Sequence, residues 1–207
     1  MKIITISREF GSGGRELGKR LADATGYDYY DSEILSAVAK SSGIDARYVE
    51  TELANSGWQN YPVTFRSTLS SPAYIQSSGI RLLLEQKKMI EKIAALGWDC
   101  IIVGRNADVI LREYAPFNIF VCADTGAKIR RCMERAPENE KLTEKELVRK
   151  MKQIDRNRAQ MREIIGGPAW GERGAYHLTV NTTDWDLREL VPAVADFAAR
   201  WFGRNKE

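Results

Sequence analysis

Three glycines beside several arginines make residues 8–16 the most informative part of the sequence. A short apolar run at residues 2–6 leads into Gly11-Ser12-Gly13-Gly14-Arg15, and a helical pattern begins at about Glu16. A glycine-rich turn between a strand and a helix aims backbone N–H groups at one point, where the helix dipole also favours an anion. The alternative is a plain tight turn, but arginines, which grip phosphate oxygens in pairs, favour phosphate binding. The candidate phosphate-binding residues are Arg8, Gly11, Ser12, Gly13, Gly14, Arg15 and Glu16.

A second arginine follows another apolar strand pattern. The strand predicted at residues 99–103, which is apolar from Cys100 onward, is followed by Gly104, Arg105 and Asn106. Ligands of open parallel sheets bind in the crevice beyond the carboxyl ends of the strands. Arg105 is therefore expected to face the same crevice as the glycine loop. The alternative is a surface arginine that pairs with a neighbouring carboxylate.

A third group of charges lies on a long helical pattern near residue 155. Asp155, Arg158 and Arg162 are spaced i, i+3 and i+7, so they share one face of a helix. One carboxylate and two guanidinium groups on one face suit an acceptor that carries a phosphate and a polar group. A solvated charged face is the alternative.

The elements that must position these residues alternate between strand and helix, which predicts a parallel sheet covered by helices. The patterns predict strands at 2–6, 27–30, 99–103, 118–122 and 176–180. They predict helices at 16–25, 79–96, 107–114, 127–135 and 143–165, and a closing helix that contains Leu187 to Trp201. A long irregular loop is expected at 55–78. His177, the only histidine, lies in the last strand pattern and is interpreted as structural.

The composition narrows the choice of partners. The net charge is +3, from 31 basic and 28 acidic residues, which does not suggest a nucleic-acid-binding protein. No apolar run approaches the ~18 residues of a membrane span, and the strand at the start leaves no room for a signal peptide. The three cysteines lack metal-binding spacing. We expect a cytoplasmic protein, and the oligomeric state stays open.

Together these motifs resemble the cytidylate-kinase-like proteins, a branch of the P-loop nucleoside monophosphate kinases. Residues 4–21, ITISREFGSGGRELGKRL, are similar to the distinctive first loop of that group. Residues 101–108, IIVGRNAD, resemble its central strand and arginine, and residues 155–159, DRNRA, resemble its lid motif. The resemblance covers nearly the whole chain.

The resemblance implies a three-layer α/β P-loop NTPase fold of the nucleotide-kinase type. It implies phosphoryl transfer from ATP, with Mg²⁺, to CMP, dCMP or a related small acceptor. A single domain is expected over residues 1–207, with a helical acceptor-binding region at 31–96 and a lid at 135–165. The residues expected to bind the acceptor are Asp31, Ser32, Arg105, Asn106, Asp155, Arg158 and Arg162. Those expected to act on the transferring phosphate are Arg15, Arg130, Arg131 and Arg158.

The first loop departs from the usual P-loop at its chemical centre. The phosphate-binding lysine aligns with Gly14, and Arg15 and Glu16 stand where hydroxyl residues would ligate Mg²⁺. Arg15 is therefore a candidate to do the work of the lysine, and Glu16 is a candidate metal ligand. Two alternatives follow from these departures. One is a sensor or regulatory protein that binds a nucleotide or phosphate ligand without transferring it, and the other is a kinase for a non-nucleotide acceptor.

Overall fold

The computed structural model describes residues 1–31, 77–136 and 142–204. The predictions for Ser32, for positions 55–76 of the irregular loop and for positions 137–141 of the lid lie outside these residues. Within the described ranges, no helix is both long enough and apolar enough to cross a membrane.

A five-stranded parallel sheet forms the centre of the molecule, with the strand order β2-β3-β1-β4-β5. The strands are β1 Ile3–Arg8, β2 Asp28–Tyr30, β3 Cys100–Val103, β4 Phe117–Cys122 and β5 Leu178–Asn181. Strand β3 is apolar throughout, and both β1 and β3 are almost entirely buried. This pattern is expected for the middle of a parallel sheet that helices cover on both faces. The predicted fold class and all five strands are confirmed.

Six α-helices lie in the described part of the chain. They are α1 Gly14–Thr25, α2 Ser77–Ala95, α3 Ala107–Ile110, α4 Thr125–Arg135, α5 Glu144–Ile164 and α6 Leu187–Arg204. Helix α5 opens with a capping box, in which the Thr143 side chain accepts from the Glu146 N–H and the Glu146 carboxylate accepts from the Thr143 N–H. Helix α1 ends at Gly26, whose φ of 72° places it in the left-handed region.

The differences from the predicted bounds are small and local. Helix α1 begins two residues earlier than expected, directly after Gly13, which takes a left-handed φ of 81° as the N-cap residue. The helix predicted at 107–114 divides into α3 and a 3₁₀ turn at Arg112–Tyr114. Strand β1 continues to Arg8 and carries the chain directly into the glycine loop.

Candidate active site

Three backbone amides of the glycine loop are not used in hydrogen bonds to the described residues. The amides of Gly11, Gly13 and Gly14 donate no hydrogen bond to any residue that the structure describes. Two hydrogen bonds from hydroxyl groups hold the loop in place. The Ser12 hydroxyl donates to the Glu9 carbonyl at 2.8 Å, and the buried Thr182 hydroxyl donates to the Ser12 carbonyl at 2.7 Å. Three amides at a helix N-terminus that lack an acceptor among the described residues are suited to binding an anion.

Close packing fixes the loop in this shape. A Cβ on Gly13 would lie 2.6 Å from Leu187 Cδ1, and one on Gly11 would lie 2.9 Å from Cys132 Sγ. Both glycines also have a left-handed φ, which disfavours any other residue. Helices α4 and α6 therefore press on the loop at the positions where only glycine fits.

Two half-buried arginines, Arg8 and Arg105, lie beside the loop. Neither guanidinium makes a hydrogen bond or an ion pair with a described residue. Burial, reinforced by the charge of Arg158, lowers the pKa of Arg8 to about 9, and burial also lowers the pKa of Arg105. Arg8 thus remains a cation at neutral pH, and guanidinium groups in general are not deprotonated in proteins. Two cations without a bound carboxylate are the arrangement expected where an anionic ligand completes the site.

The backbone before α3 aims Arg105 into this region. Three consecutive residues have a left-handed φ, with 81° at Gly104, 58° at Arg105 and 54° at Asn106. Such a conformation costs a non-glycine residue about 1–3 kcal/mol and is concentrated at functional sites. Asn106, which was predicted to bind the acceptor, is the N-cap residue of α3 and makes no side-chain cap hydrogen bond.

Asp155 and Arg158 connect α5 to the backbone of the loop. The Asp155 carboxylate accepts from the Phe10 N–H at 2.8 Å and from Arg158 at 2.9 Å. Arg158 also donates to the Arg8 carbonyl at 2.9 Å. Burial raises the pKa of Asp155 and lowers that of Arg158. This ion pair orients the loop, and it places the Arg158 charge close to Arg8.

Arg15 and Asp31 form a second ion pair across the site. Arg15 Nε lies 2.7 Å from Asp31 Oδ2, and the Asp31 side chain is only 3% exposed. The Tyr29 hydroxyl lies between them, 3.4 Å from Asp31 Oδ2 and 3.3 Å from the Arg15 carbonyl. The pair links the start of α1 to the end of β2.

Glu16 is engaged by two arginines. One carboxylate oxygen accepts from Arg20 at 2.8 Å and the other accepts from Arg135. Burial opposes the charged form, but these two partners outweigh it and lower the pKa of Glu16. A carboxylate with both oxygens bound to guanidinium groups does not suit a metal ligand. Among the described residues, no three His, Cys, Asp or Glu side chains group in a way that would hold a metal ion.

The two arginines of α4 differ in their surroundings. Arg131 donates to the carbonyls of Thr182 and Gly11, and burial lowers its pKa. Arg130 is exposed. Arg131 therefore touches the loop backbone, whereas Arg130 faces outward in this structure.

Arg162 lies apart from the other predicted residues. It is 1% exposed and forms an ion pair with Asp108 at 2.7 Å, while its Nε donates to the Pro168 carbonyl at 2.6 Å. Its guanidinium also lies over the ring of Tyr176. The structure thus brings the loop, Arg8, Arg15, Asp31, Arg105, Asp155 and Arg158 together and places Arg162 in a buried packing contact.

Several residues at the site were not predicted from the sequence. Thr182 holds the loop, Tyr29 bridges Arg15 and Asp31, and Lys128 pairs with Glu9 at 2.8 Å. Lys128 and Glu9 lie 119 positions apart in the chain. No local spacing marks such a pair, so only the three-dimensional fold reveals it.

The parallel sheet, the glycine loop at the end of β1 and the arginines around it define the class of the P-loop kinases. The family model of the cytidylate kinase-like family matches residues 3–184, and the chain belongs to that family. No curated protein matches the sequence.

Solved structures of similar fold cover nearly the whole chain. A protein of Eubacterium ventriosum ATCC 27560, described as uncharacterized, is 23% identical with a TM-score of 0.69, over 96% of this chain and 99% of that one. TT1252 from Thermus thermophilus is 18% identical with a TM-score of 0.53, over 96% and 97%. The shikimate kinase of Acinetobacter baumannii, solved with shikimate, is 11% identical with a TM-score of 0.52, over 100% and 95%. These likenesses establish the fold.

Proposed function

We propose that this protein is an ATP-dependent phosphotransferase that moves the γ-phosphoryl group to CMP, dCMP or a related small acceptor. One observation carries the proposal. Arg8, Arg105 and Arg158 lie near one another beside three loop amides that donate to no described residue. Phosphoryl transfer depends mainly on positioning and on neutralising charge, and this arrangement suits both.

The donor and acceptor would occupy opposite sides of the arginines. The loop amides would bind the donor phosphates, and Arg105, at the end of β3, would bind the phosphate of the acceptor. Mg²⁺, which commonly binds through substrate phosphates and retains several waters, would neutralise charge on the nucleotide. Glu16 is not part of this proposal because both its oxygens bind arginines.

A lid over residues 135–165 is also part of the proposal. Asp155 and Arg158 attach the second half of α5 to the loop, at Phe10 and Arg8. Movement would therefore be confined to the segment before them. Closure of that segment would exclude water from the bound nucleotides.

The contact of Asp155 favours a second candidate, a kinase for a non-nucleotide acceptor. Asp155 was expected to touch the acceptor nucleoside, but its carboxylate accepts from the Phe10 N–H at 2.8 Å. A carboxylate that holds the loop has less capacity to recognise a base or a ribose. The acceptor site would then depend on Arg105 and Asp31 instead.

Phosphate transfer from γ-labelled ATP with Mg²⁺ tests the proposal. The acceptors are a panel of nucleoside monophosphates and small phosphorylated or hydroxylated metabolites, and ATP binding is measured in parallel. Transfer to CMP or dCMP is expected. Transfer only to a non-nucleotide would support the second candidate, and ATP binding without any transfer would indicate a sensor.

A further inference from the structure

We propose that Arg8 does the work of the missing P-loop lysine, because this chain has exchanged the positions of the glycine and the cation. Arg15, which directly follows the lysine position, would instead serve to join α1 to β2. The inference rests on the proposed function, since it assigns a residue to the phosphate site of that reaction.

The exchange is visible in the sequence once the strand ends are known. The usual P-loop reads G-x-x-x-x-G-K-[ST], with a first glycine at the end of the strand and a lysine six positions later. Gly13 takes the place of the second glycine, so Arg8 stands at the first glycine and Gly14 at the lysine. Strand β1 ends at Arg8, as this alignment requires. A small residue and a long cation have therefore changed places.

The geometry explains why both changes occur together. A Cβ on Gly14 would lie 2.6 Å from Cβ and 3.1 Å from Cγ of Arg8. The side chain of Arg8 thus fills the space through which a side chain at position 14 would leave the loop. A lysine at 14 and an arginine at 8 exclude each other sterically.

The guanidinium of Arg8 lies between the glycine loop, which would bind the donor, and Arg105, which would bind the acceptor. A Cβ on Gly104 would overlap Arg8 Nη1 and would lie 2.7 Å from Cζ, so the group rests directly on the end of β3. It spans from the start of α1 to the residue before Arg105. A phosphoryl group moving from the loop to an acceptor at Arg105 would pass this position.

The charges distinguish Arg8 from Arg15. Arg15 Nε lies 2.7 Å from the buried carboxylate of Asp31, which neutralises it. The Arg8 guanidinium makes no hydrogen bond or ion pair with a residue in the described part of the chain. Arg158 and Arg105 add positive charge nearby, and Asp31 acts on Arg8 only from beyond ion-pair distance. An arginine without a carboxylate partner offers its donors to phosphate oxygens in pairs.

The step that Arg8 would assist is balanced without a base when the acceptor is a nucleoside monophosphate. An ionised phosphate oxygen of the acceptor forms a bond to the γ-phosphorus. The bond from that phosphorus to the β–γ bridging oxygen breaks, and its electron pair leaves with ADP. Arg8 would offset the charge on the moving phosphoryl oxygens, as the lysine does in the usual loop.

Reversal of the exchange provides the test. Arg8→Gly removes the cation, Gly14→Lys introduces a clash with Arg8, and the double variant restores the usual arrangement. We expect kcat to fall at least 100-fold in Arg8→Gly and to recover at least 10-fold from that level in the double variant. Arg8→Met keeps most of the side-chain bulk and is expected to lose kcat to the same extent. Arg112→Met, at a side chain that is 74% exposed, is the matched control.

Two results would overturn the inference. One is an Arg8→Met variant that keeps wild-type kcat, and the other is a folded double variant no more active than Arg8→Gly. Thermal unfolding of each variant separates loss of chemistry from loss of fold.

Measurement of ATP binding distinguishes a failure of this inference from a failure of the proposed function. If the wild-type protein binds ATP but transfers nothing, the proposed function fails, and calorimetry still tests Arg8. Arg8→Met should then weaken ATP binding at least 10-fold, and Arg15→Met should weaken it less. The reverse order would overturn the inference, and no ATP binding by the wild type would overturn both.

Discussion

Arg105 is positioned by its backbone rather than by a side-chain partner. Arg105 has a φ of 58°, and its neighbours Gly104 and Asn106 are also left-handed. Its guanidinium makes no ion pair with a described residue. The strain of this turn, about 1–3 kcal/mol for each non-glycine residue, is tolerated because the turn follows the buried strand β3. Left-handed strain of this kind is concentrated at functional sites, in agreement with the proposed role of Arg105 in binding the acceptor.

Removal of this charge should weaken acceptor binding selectively. Arg105→Met is expected to raise the acceptor KM by about 10–100-fold, because a hydrogen bond to a charged group contributes about 1.5–3 kcal/mol. The KM for ATP should change much less. Steady-state kinetics with each substrate varied in turn measures both values, and Arg112→Met is the control. Equal rises in the two KM values would contradict the assignment.

The sequence predicts which residues carry charge better than it predicts what they bind. The spacing of Asp155, Arg158 and Arg162 correctly indicated a helix. Their partners, however, are the Phe10 N–H, the Arg8 carbonyl and Asp108, which lie 145, 150 and 54 positions away. Helical spacing fixes a side chain's face but not the loop that packs against it, so Arg162 is buried although its pattern suggests a ligand.

At the scale of elements, α6 supports the glycine loop through a single apolar side chain. Leu187, the first residue of α6, leaves no space for a Cβ at Gly13. The loop therefore depends on an element that lies more than 170 positions later in the chain. Its shape is set by tertiary packing as well as by its own glycines.

The contribution of this packing can be measured with two glycines of similar φ. Gly26 has a φ of 72°. Apart from its own neighbours in the chain, no described residue has an atom within 4 Å of the place that a Cβ would take there. Gly26→Ala should therefore cost only the left-handed strain, about 1–2 kcal/mol. Gly13→Ala should cost about 1–3 kcal/mol more, because the new methyl group meets Leu187. Urea denaturation of both variants gives the difference. Equal losses would show that the loop can move away from α6.

The buried ion pair of Arg162 and Asp108 joins α5 to α3. Asp108 Oδ1 and Arg162 Nη1 have no hydrogen-bond partner within the described ranges, although the two charges lie 2.7 Å apart at the nearest atoms. The pair therefore depends on direct charge attraction, aided by the bond from Arg162 to the Pro168 carbonyl. Loss of either partner would leave an isolated charge in the interior.

Arg162→Met should destabilise the protein by about 3–5 kcal/mol because it leaves the Asp108 carboxylate buried and unpaired. The double variant Arg162→Met with Asp108→Leu should recover part of this loss, since neither charge remains. Chemical denaturation measures both changes. A simple ion pair would be contradicted if the double variant lost more free energy of unfolding than the two single variants lose together.

The predicted elements agree closely with the structure because their signals are local. The capping box at Thr143 and the left-handed cap at Gly26 were both readable from neighbouring residues. The apolar runs that became β1 and β3 were equally clear. Strand order was not readable in the same way, since β1 pairs with β3 and β4, which follow it by about a hundred residues.

For the molecule as a whole, the single histidine is expected to make the free energy of unfolding depend on pH. His177 Nδ1 accepts from the Asn118 N–H at 2.9 Å, and its ring stacks on Phe117 and lies tilted against Trp201. Partial burial lowers its pKa below the ordinary value of 6.5. Protonation would remove the acceptor that Asn118 needs, so the folded state favours the neutral ring.

The sign of the effect follows from this lowered pKa. The unfolded chain takes up a proton at higher pH than the folded one, so the stability due to His177 is complete above pH 6.5 and declines as pH falls below it. His177→Asn keeps an acceptor but does not titrate. The free energy of unfolding should therefore decrease less between pH 7.5 and pH 5.5 in the variant than in the wild type. An identical decrease would assign the dependence to other groups.

The central place of β1 in the sheet has a consequence for synthesis on the ribosome. Ile3 pairs with Cys100, 97 residues later, and Ile4 pairs with Phe117. At a translation rate of about 5–20 residues per second, β1 waits about 5–20 s before β3 has been made. During that time an apolar strand and its glycine loop lie in a nascent chain without their neighbours. The strand that leads into the glycine loop is the segment that a ribosome-associated chaperone would have most reason to hold.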